Sequence, residues 1–240
     1  MALSSFTVLA GERTIRLASW IERDWPRTLL NYDFAFKAGE FAEGRLEVAD
    51  SAGRPVEAQT AVTARHADGS IQSCRISFYS DLKKGETRQW TLKSADAPAA
   101  VAPRAQATLK DGALEVSSES AGVRIPAPGG KAYDTPVEPA AVPAPILGWR
   151  LASGIWAGKG WLEGDRKVAA WSQRVVADGP LYKEYEYNAR FAPEGVYTVR
   201  VRVEAELPLV HVAEEYDMGG ATAGRDFLVL QLNDGWTADT

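Results

Sequence analysis

The chain has 240 residues and a mass of 26.0 kDa, above the roughly 100–150 residues of one ordinary domain, so two compact units are expected. Hydrophobic residues at 45% and charged residues at 25% exclude wholesale disorder, and a formal charge of −5 argues against nucleic acid or an anionic membrane as a partner held by bulk charge. One cysteine, Cys74, and two histidines, His66 and His211, exclude an intrachain disulfide and a histidine-rich metal cage, and no metal or cofactor is expected.

The start, Met1-Ala2-Leu3-Ser4-Ser5, lacks the basic segment and long apolar core of a signal peptide, which fits a cytoplasmic protein or a secreted one whose leader has been removed. No apolar run approaches the ~18 residues of a membrane span. Along the chain, apolar and polar residues alternate between turn signals and helical periodicity is nearly absent, so both halves read as β. Arg45–Val48 leads to the turn Asp50–Gly53. Val56–Arg65 then runs to Ala67-Asp68-Gly69, and Ile71–Tyr79 follows. Lys83–Glu86 is the next turn, and Thr87–Leu92 closes the first unit. Asp111-Gly112 joins Thr108–Lys110 to Ala113–Val116 as a hairpin, because Gly takes positive φ without a Cβ clash. The longest strands are Lys167–Val176, Leu181–Phe191, Val196–Leu207, Leu209–Tyr216 and Asp226–Leu232.

Prolines place the joint. Eight of the 13 fall between Pro98 and Pro145. The stretch from Ser94 to Pro103 has no large side chain to bury beyond Val101 and reads as an extended linker, whereas Pro126–Pro145 reads as a long ordered loop. The expected fold is all-β, a small N-terminal β-barrel over 1–97 followed by an antiparallel β-sandwich over 98–240.

No Gly-x-Ser-x-Gly elbow, phosphate loop or zinc-protease helix occurs. Cys74 sits mid-strand and reads as a small buried thiol, His66 as a solvated turn residue, and His211 as a strand residue opposite two valines. Glu214-Glu215-Tyr216-Asp217 places acids on both faces of a strand end, a solvated pattern more than a cation site. Trp149, Trp156 and Trp161 fall in a glycine-rich stretch, the composition of a platform that stacks on sugar rings. Trp171 reads as core.

Arg65-His66-Ala67-Asp68-Gly69-Ser70-Ile71 and Lys84-Gly85-Glu86-Thr87 resemble the N-terminal RIFT-type barrel of exo-rhamnogalacturonan lyase-like proteins, with His66 near that family's aromatic position and Ser73 where a Trp is expected. Ala177–Tyr182, Phe191–Tyr197 and Leu207–Val212 resemble the galactose-mutarotase-like sandwich that follows the barrel there. The resemblance implies the non-catalytic N-terminal part of an exo-acting lyase on pectic, uronate-containing glycans, with an α/α toroid later in a longer polypeptide. The alternatives are a pair of carbohydrate-binding modules and a structural interaction protein.

A lyase needs a base for the C5 proton and a cation for the uronate carboxylate. No catalytic residue transfers from the family; Tyr185, Tyr187, Arg200, Arg202 and His211 are what the strands offer. The candidate glycan contacts are Trp149, Trp156, Trp161, Arg200, Arg202 and His211. Closing Leu181–Phe191 onto Val196–Leu207 at Ala192-Pro193-Glu194 predicts Tyr187 opposite Val199, Tyr185 opposite Val201, Glu186 opposite Arg200 and Glu184 opposite Arg202. The charged face of that hairpin is expected to be solvated.

Overall fold

The computed structural model describes residues 11–42, 46–96, 102–217, 219 and 226–231. These residues are nearly all β, with antiparallel sheets throughout and one short 3-10 turn among them, as the alternation predicts. The chain divides into two compact units, residues 1–102 and 103–240. The joint itself, residues 97–101, and the turn Asn233-Asp234-Gly235 lie outside the described residues.

The first unit holds β1 (Glu12–Ala18), β2 (Trp25–Ala35), β3 (Leu46–Asp50), β4 (Pro55–Val56), β5 (Ala58–Arg65), β6 (Ile71–Leu82) and β7 (Thr87–Ser94). One sheet runs β1-β7-β3-β4 and the other β2-β6-β5. Ile15, Val48, Trp90 and Leu92 of the first meet Cys74, Ile76 and Phe78 of the second in one core. The expected strand Val56–Arg65 is broken at Glu57, because β4 pairs with β3 while β5 pairs with β6 in the other sheet. The Asp-Gly-Ser-Ile turn is a structural clasp. Asp68 accepts from the Ser70 amide at 2.9 Å, Ser70 Oγ accepts from the Gly39 amide at 2.9 Å, and the Ile71 amide donates to the Phe41 carbonyl at 2.9 Å. His66 is half-buried rather than solvated, its Nε2 2.9 Å from the Phe36 carbonyl, so the same turn also pins the segment after β2.

The second unit holds β8 (Gln106–Lys110), β9 (Ala113–Ser117), β10 (Gly122–Pro126), β11 (Gly129–Val137), β12 (Gly148–Arg150), β13 (Trp156–Ala157), β14 (Lys159–Gly164), β15 (Val168–Asp178), β16 (Tyr182–Phe191), β17 (Val196–Glu204), β18 (Val210–Asp217) and β19 (Asp226–Gln231). A five-stranded sheet β13-β12-β10-β9-β8 and a second, β11-β15-β16-β17-β18, enclose one core, with β14 and β19 as a separate pair. Val116, Val123 and Ile125 of the first sheet share that core with Tyr185, Tyr187, Val199 and Val201 of the second. The β8–β9 loop has both central residues at positive φ, 50° at Asp111 and 78° at Gly112, the twist a two-residue hairpin needs.

The proline-rich stretch expected to be a loop contains β11. It is an edge strand paired with β15, and its register breaks between Ala132 and Val137, where Pro136 lies. A residue without an N–H is tolerated at such an edge. The β16–β17 register is the predicted one, with Tyr187 opposite Val199, Tyr185 opposite Val201, Glu186 opposite Arg200 and Glu184 opposite Arg202.

Candidate functional site

The three tryptophans expected to form one platform do not share a face. In the β12–β13 pairing Trp149 lies opposite Ala157 and Arg150 opposite Trp156, so strand alternation sends the Trp149 and Trp156 rings to opposite sides of the sheet. Trp149 packs against the sandwich core. Trp156 lies under the Arg124 guanidinium, 5.1 Å from ring centroid to Cζ. Trp161 is on β14, opposite Val229 of β19; its indole N–H donates to Glu163 at 3.3 Å, and Lys159 Nζ stands 5.6 Å from the ring centroid. A common stacking plane is therefore corrected to three separate settings. Trp171, expected in the core, is partly buried: it packs against the core from its edge and stacks on Tyr187.

The charged face of β16 and β17 is not the solvated face expected. Glu184, Glu186 and Glu204 are buried. Glu186 lies between two arginines from the flanking strands, accepting from Arg174 Nε at 2.8 Å and from Arg200 Nε at 2.8 Å. Asn188 Nδ2 adds a contact at 3.3 Å, and the Asn188 side-chain oxygen in turn accepts from Thr198 at 2.8 Å. Burial raises the Glu186 pKa, but the Arg200 and Arg174 hydrogen bonds outweigh it and hold the carboxyl below its usual range. Glu204 takes the other two candidates: His211 Nε2 lies 2.8 Å from its Oε1 and Arg202 Nη2 3.5 Å. Arg202 pairs with Glu204 rather than with Glu184 across the strand, and its guanidinium sits over Tyr182. Arg200 and Arg202 thus direct their charge, and His211 its ring nitrogen, to the protein's own carboxylates, which a uronate would have to displace.

Tyr185 and Tyr187 are poor bases. Burial and the charge of Asp178 push the Tyr185 phenol up to about 12. Tyr187 is fully buried, its pKa is raised by burial, and its hydroxyl donates to the Pro143 carbonyl at 2.8 Å. Tyr197 donates to Glu214 and stacks on Tyr216, and burial raises its pKa as well. Cys74 is buried in β6, with its thiol pushed up to about 11 by burial and the nearby charge of Asp33. Among the described residues no group of three or more His, Cys, Asp or Glu is placed to hold a metal ion.

The candidate that remains is a cleft of about 390 Å³ within the second unit. Trp149, Leu151 and Ala157 line it from the β12–β13 side, and Pro208, Leu209 and Val210 from the segment entering β18. The Trp149 Nε1 atom is buried and has no hydrogen-bond partner among the described residues, which leaves a donor at this wall without an acceptor. Arg150 also lines the cleft. Its Nη1 donates to the Ser118 carbonyl at 3.1 Å and the Glu119 carbonyl at 2.9 Å, which fixes the guanidinium. Its other nitrogens have no partner among the described residues, and a guanidinium carries five N–H groups. The cleft therefore combines an aromatic wall with further apolar walls, and Arg150, the strand neighbour of Trp149, contributes to its lining. Of the six residues the sequence singles out, Trp149 alone lines it; Arg150, its neighbour, was missed because an isolated arginine in a short strand carries no pattern.

No protein-family model matches the chain, and no curated protein is significantly similar to it.

Proposed function

We propose that this chain is a glycan-contacting β scaffold, the non-catalytic portion of a polysaccharide-degrading enzyme acting on uronate-containing chains. The observation that carries the reading is the Trp149 cleft with Arg150 in it. An indole face offers C–H stacking to a pyranose ring, and a guanidinium fork suits a carboxylate. The resemblance to exo-rhamnogalacturonan lyase-like proteins points to the same ligand class. Tyr185 and Tyr187 hold their protons at neutral pH, so this reading gives the chain a binding role and leaves bond cleavage to the toroid that the resemblance implies.

Calorimetric titration with an oligogalacturonide and with a neutral galacto-oligosaccharide of equal length tests it. The acidic probe should bind more tightly, Trp149→Ala should weaken both, and Arg150→Ala should remove the preference for the acidic one. Equal heats for wild type and Trp149→Ala would overturn the proposal.

A structural interaction surface is the second reading, favoured by β18. That strand ends its sheet, and His211–Asp217 are exposed, with Val212 and Tyr216 among the exposed large apolar residues. Strand addition at this edge, seen as protection of β18 amides by a partner and not by a glycan, would favour it.

A further inference from the structure

We infer that the β1–β2 loop of the first unit carries a second saccharide-stacking site, built on Trp20. Its side chain is 86% exposed, the most exposed of the large apolar residues described. An indole left in water gains nothing from the core, so its place here is not explained by folding.

The loop that presents it is held rather than loose. The Ser19 amide donates to the Glu86 carbonyl at 2.8 Å, on the turn between β6 and β7. At the other end Asp24 accepts from the Lys84 amide at 3.0 Å and from Lys83 Nζ at 2.9 Å. Those hydrogen bonds, the Lys84 amide first and Lys83 second, hold the Asp24 carboxyl below its usual range. Glu22 pairs with Lys84. The backbone that carries the ring is therefore held before any ligand arrives, which lowers the ordering cost of binding.

The surroundings identify the ligand class. Glu22, Arg23, Asp24, Lys83 and Lys84 are exposed and charged, on the same loop as Trp20 and on the β6–β7 turn that holds it. A protein-docking anchor sits instead in an apolar centre depleted of charge. Paired carboxylates keep lone pairs for hydroxyl donors, and ammonium groups keep N–H donors for hydroxyl oxygens. An exposed aromatic face with such a rim fits the C–H face of a pyranose ring, in a neutral or an acidic saccharide. Arg23 is exposed on the same loop, and its guanidinium suits the carboxylate of an acidic saccharide.

The inference shares the glycan reading of the Trp149 cleft but uses a different unit and different residues. Its test is a titration of the full chain, followed through the indole ¹H–¹⁵N resonance of Trp20, assigned with Trp20→Phe. The probes are an oligogalacturonide and a neutral β-gluco-oligosaccharide. The Trp20 resonance should shift saturably with at least one probe, unchanged in Trp149→Ala. In the Trp149→Ala background, affinity read by calorimetric titration should fall about tenfold when Trp20→Ala is added, with the unfolding midpoint unmoved. A Trp20 resonance that responds to neither probe overturns the inference even if the Trp149 cleft binds. A resonance that moves only with protein concentration, showing self-association through Trp20, overturns it as well.

Discussion

The row Arg174–Glu186–Arg200 makes a prediction in which two mutations are worse than their sum. The Glu186 side chain is 9% exposed, while Arg174 and Arg200 are 61% and 56% exposed. Removing either arginine leaves Glu186 with the other and with Asn188, and solvent already screens the lost partner. Each of Arg174→Ala and Arg200→Ala should cost about 1 kcal/mol. Removing both leaves a nearly buried carboxylate with one amide contact. An uncompensated buried charge costs about 3–5 kcal/mol, so the double variant should lose about 3–4 kcal/mol, a coupling of roughly 1–2 kcal/mol. Adding Glu186→Gln to the double variant should restore part of the loss, because the charge is gone. The assay is urea unfolding of the second unit at pH 7, with all four variants in one cycle. Strict additivity, or no recovery when Glu186→Gln is added, would refute the account of Glu186 as a carboxylate whose charge two arginines keep in the sheet.

The same carboxyl sets a pH dependence. Its folded pKa is below the ordinary value of 4.5, so its contribution is full above that value and is lost as pH falls through the folded pKa; acid unfolding of Glu186→Gln should be correspondingly shallower below about pH 4.5. Cys74, raised to about 11, should resist a thiol reagent at pH 8 in the native chain and react on unfolding in denaturant. Gly160→Ala should destabilise the second unit by at least about 2 kcal/mol, since a Cβ there would meet the Ile146 carbonyl oxygen at 1.9 Å; a thermal midpoint within a degree of wild type would contradict this. Tyr187→Phe should cost about 1 kcal/mol through the lost bond to Pro143, and Tyr187→Ala about 3–5 kcal/mol, both read by urea midpoints.

The β16–β17 register was legible because two independent signals agree on it: the apolar alternation of Tyr185, Tyr187, Val199 and Val201, and the charge pairing of Glu186 with Arg200. What alternation could not show was that the Glu186 carboxylate of the other face would be buried while its arginine partners stay exposed, since that depends on neighbouring strands and loops. Glu204 shows the limit. The residue opposite Arg202 is Glu184, yet the ion pair forms along β17 with Glu204, because a long side chain reaches i+2. β11 was hidden by Pro136 and the prolines on either side of it, which argue against a central strand but not against an edge. The tryptophan platform failed on parity. Spacing along the chain says nothing about sides until the β12–β13 turn is fixed, and that turn places Arg150 opposite Trp156. Trp20 went unremarked because one indole inside a charged run has no periodicity to betray it.

The central claim is that a uronate-containing glycan lies on Trp149 with its carboxylate at Arg150. A crystal structure of the chain with a bound oligogalacturonide tests it most directly. The account predicts a pyranose ring stacked on the Trp149 indole in the cleft walled by Leu151 and Val210, with a carboxylate within hydrogen-bond distance of a free Arg150 nitrogen. A saccharide seated instead on Arg200 and Arg202, with Glu186 and Glu204 displaced from their partners, would contradict it.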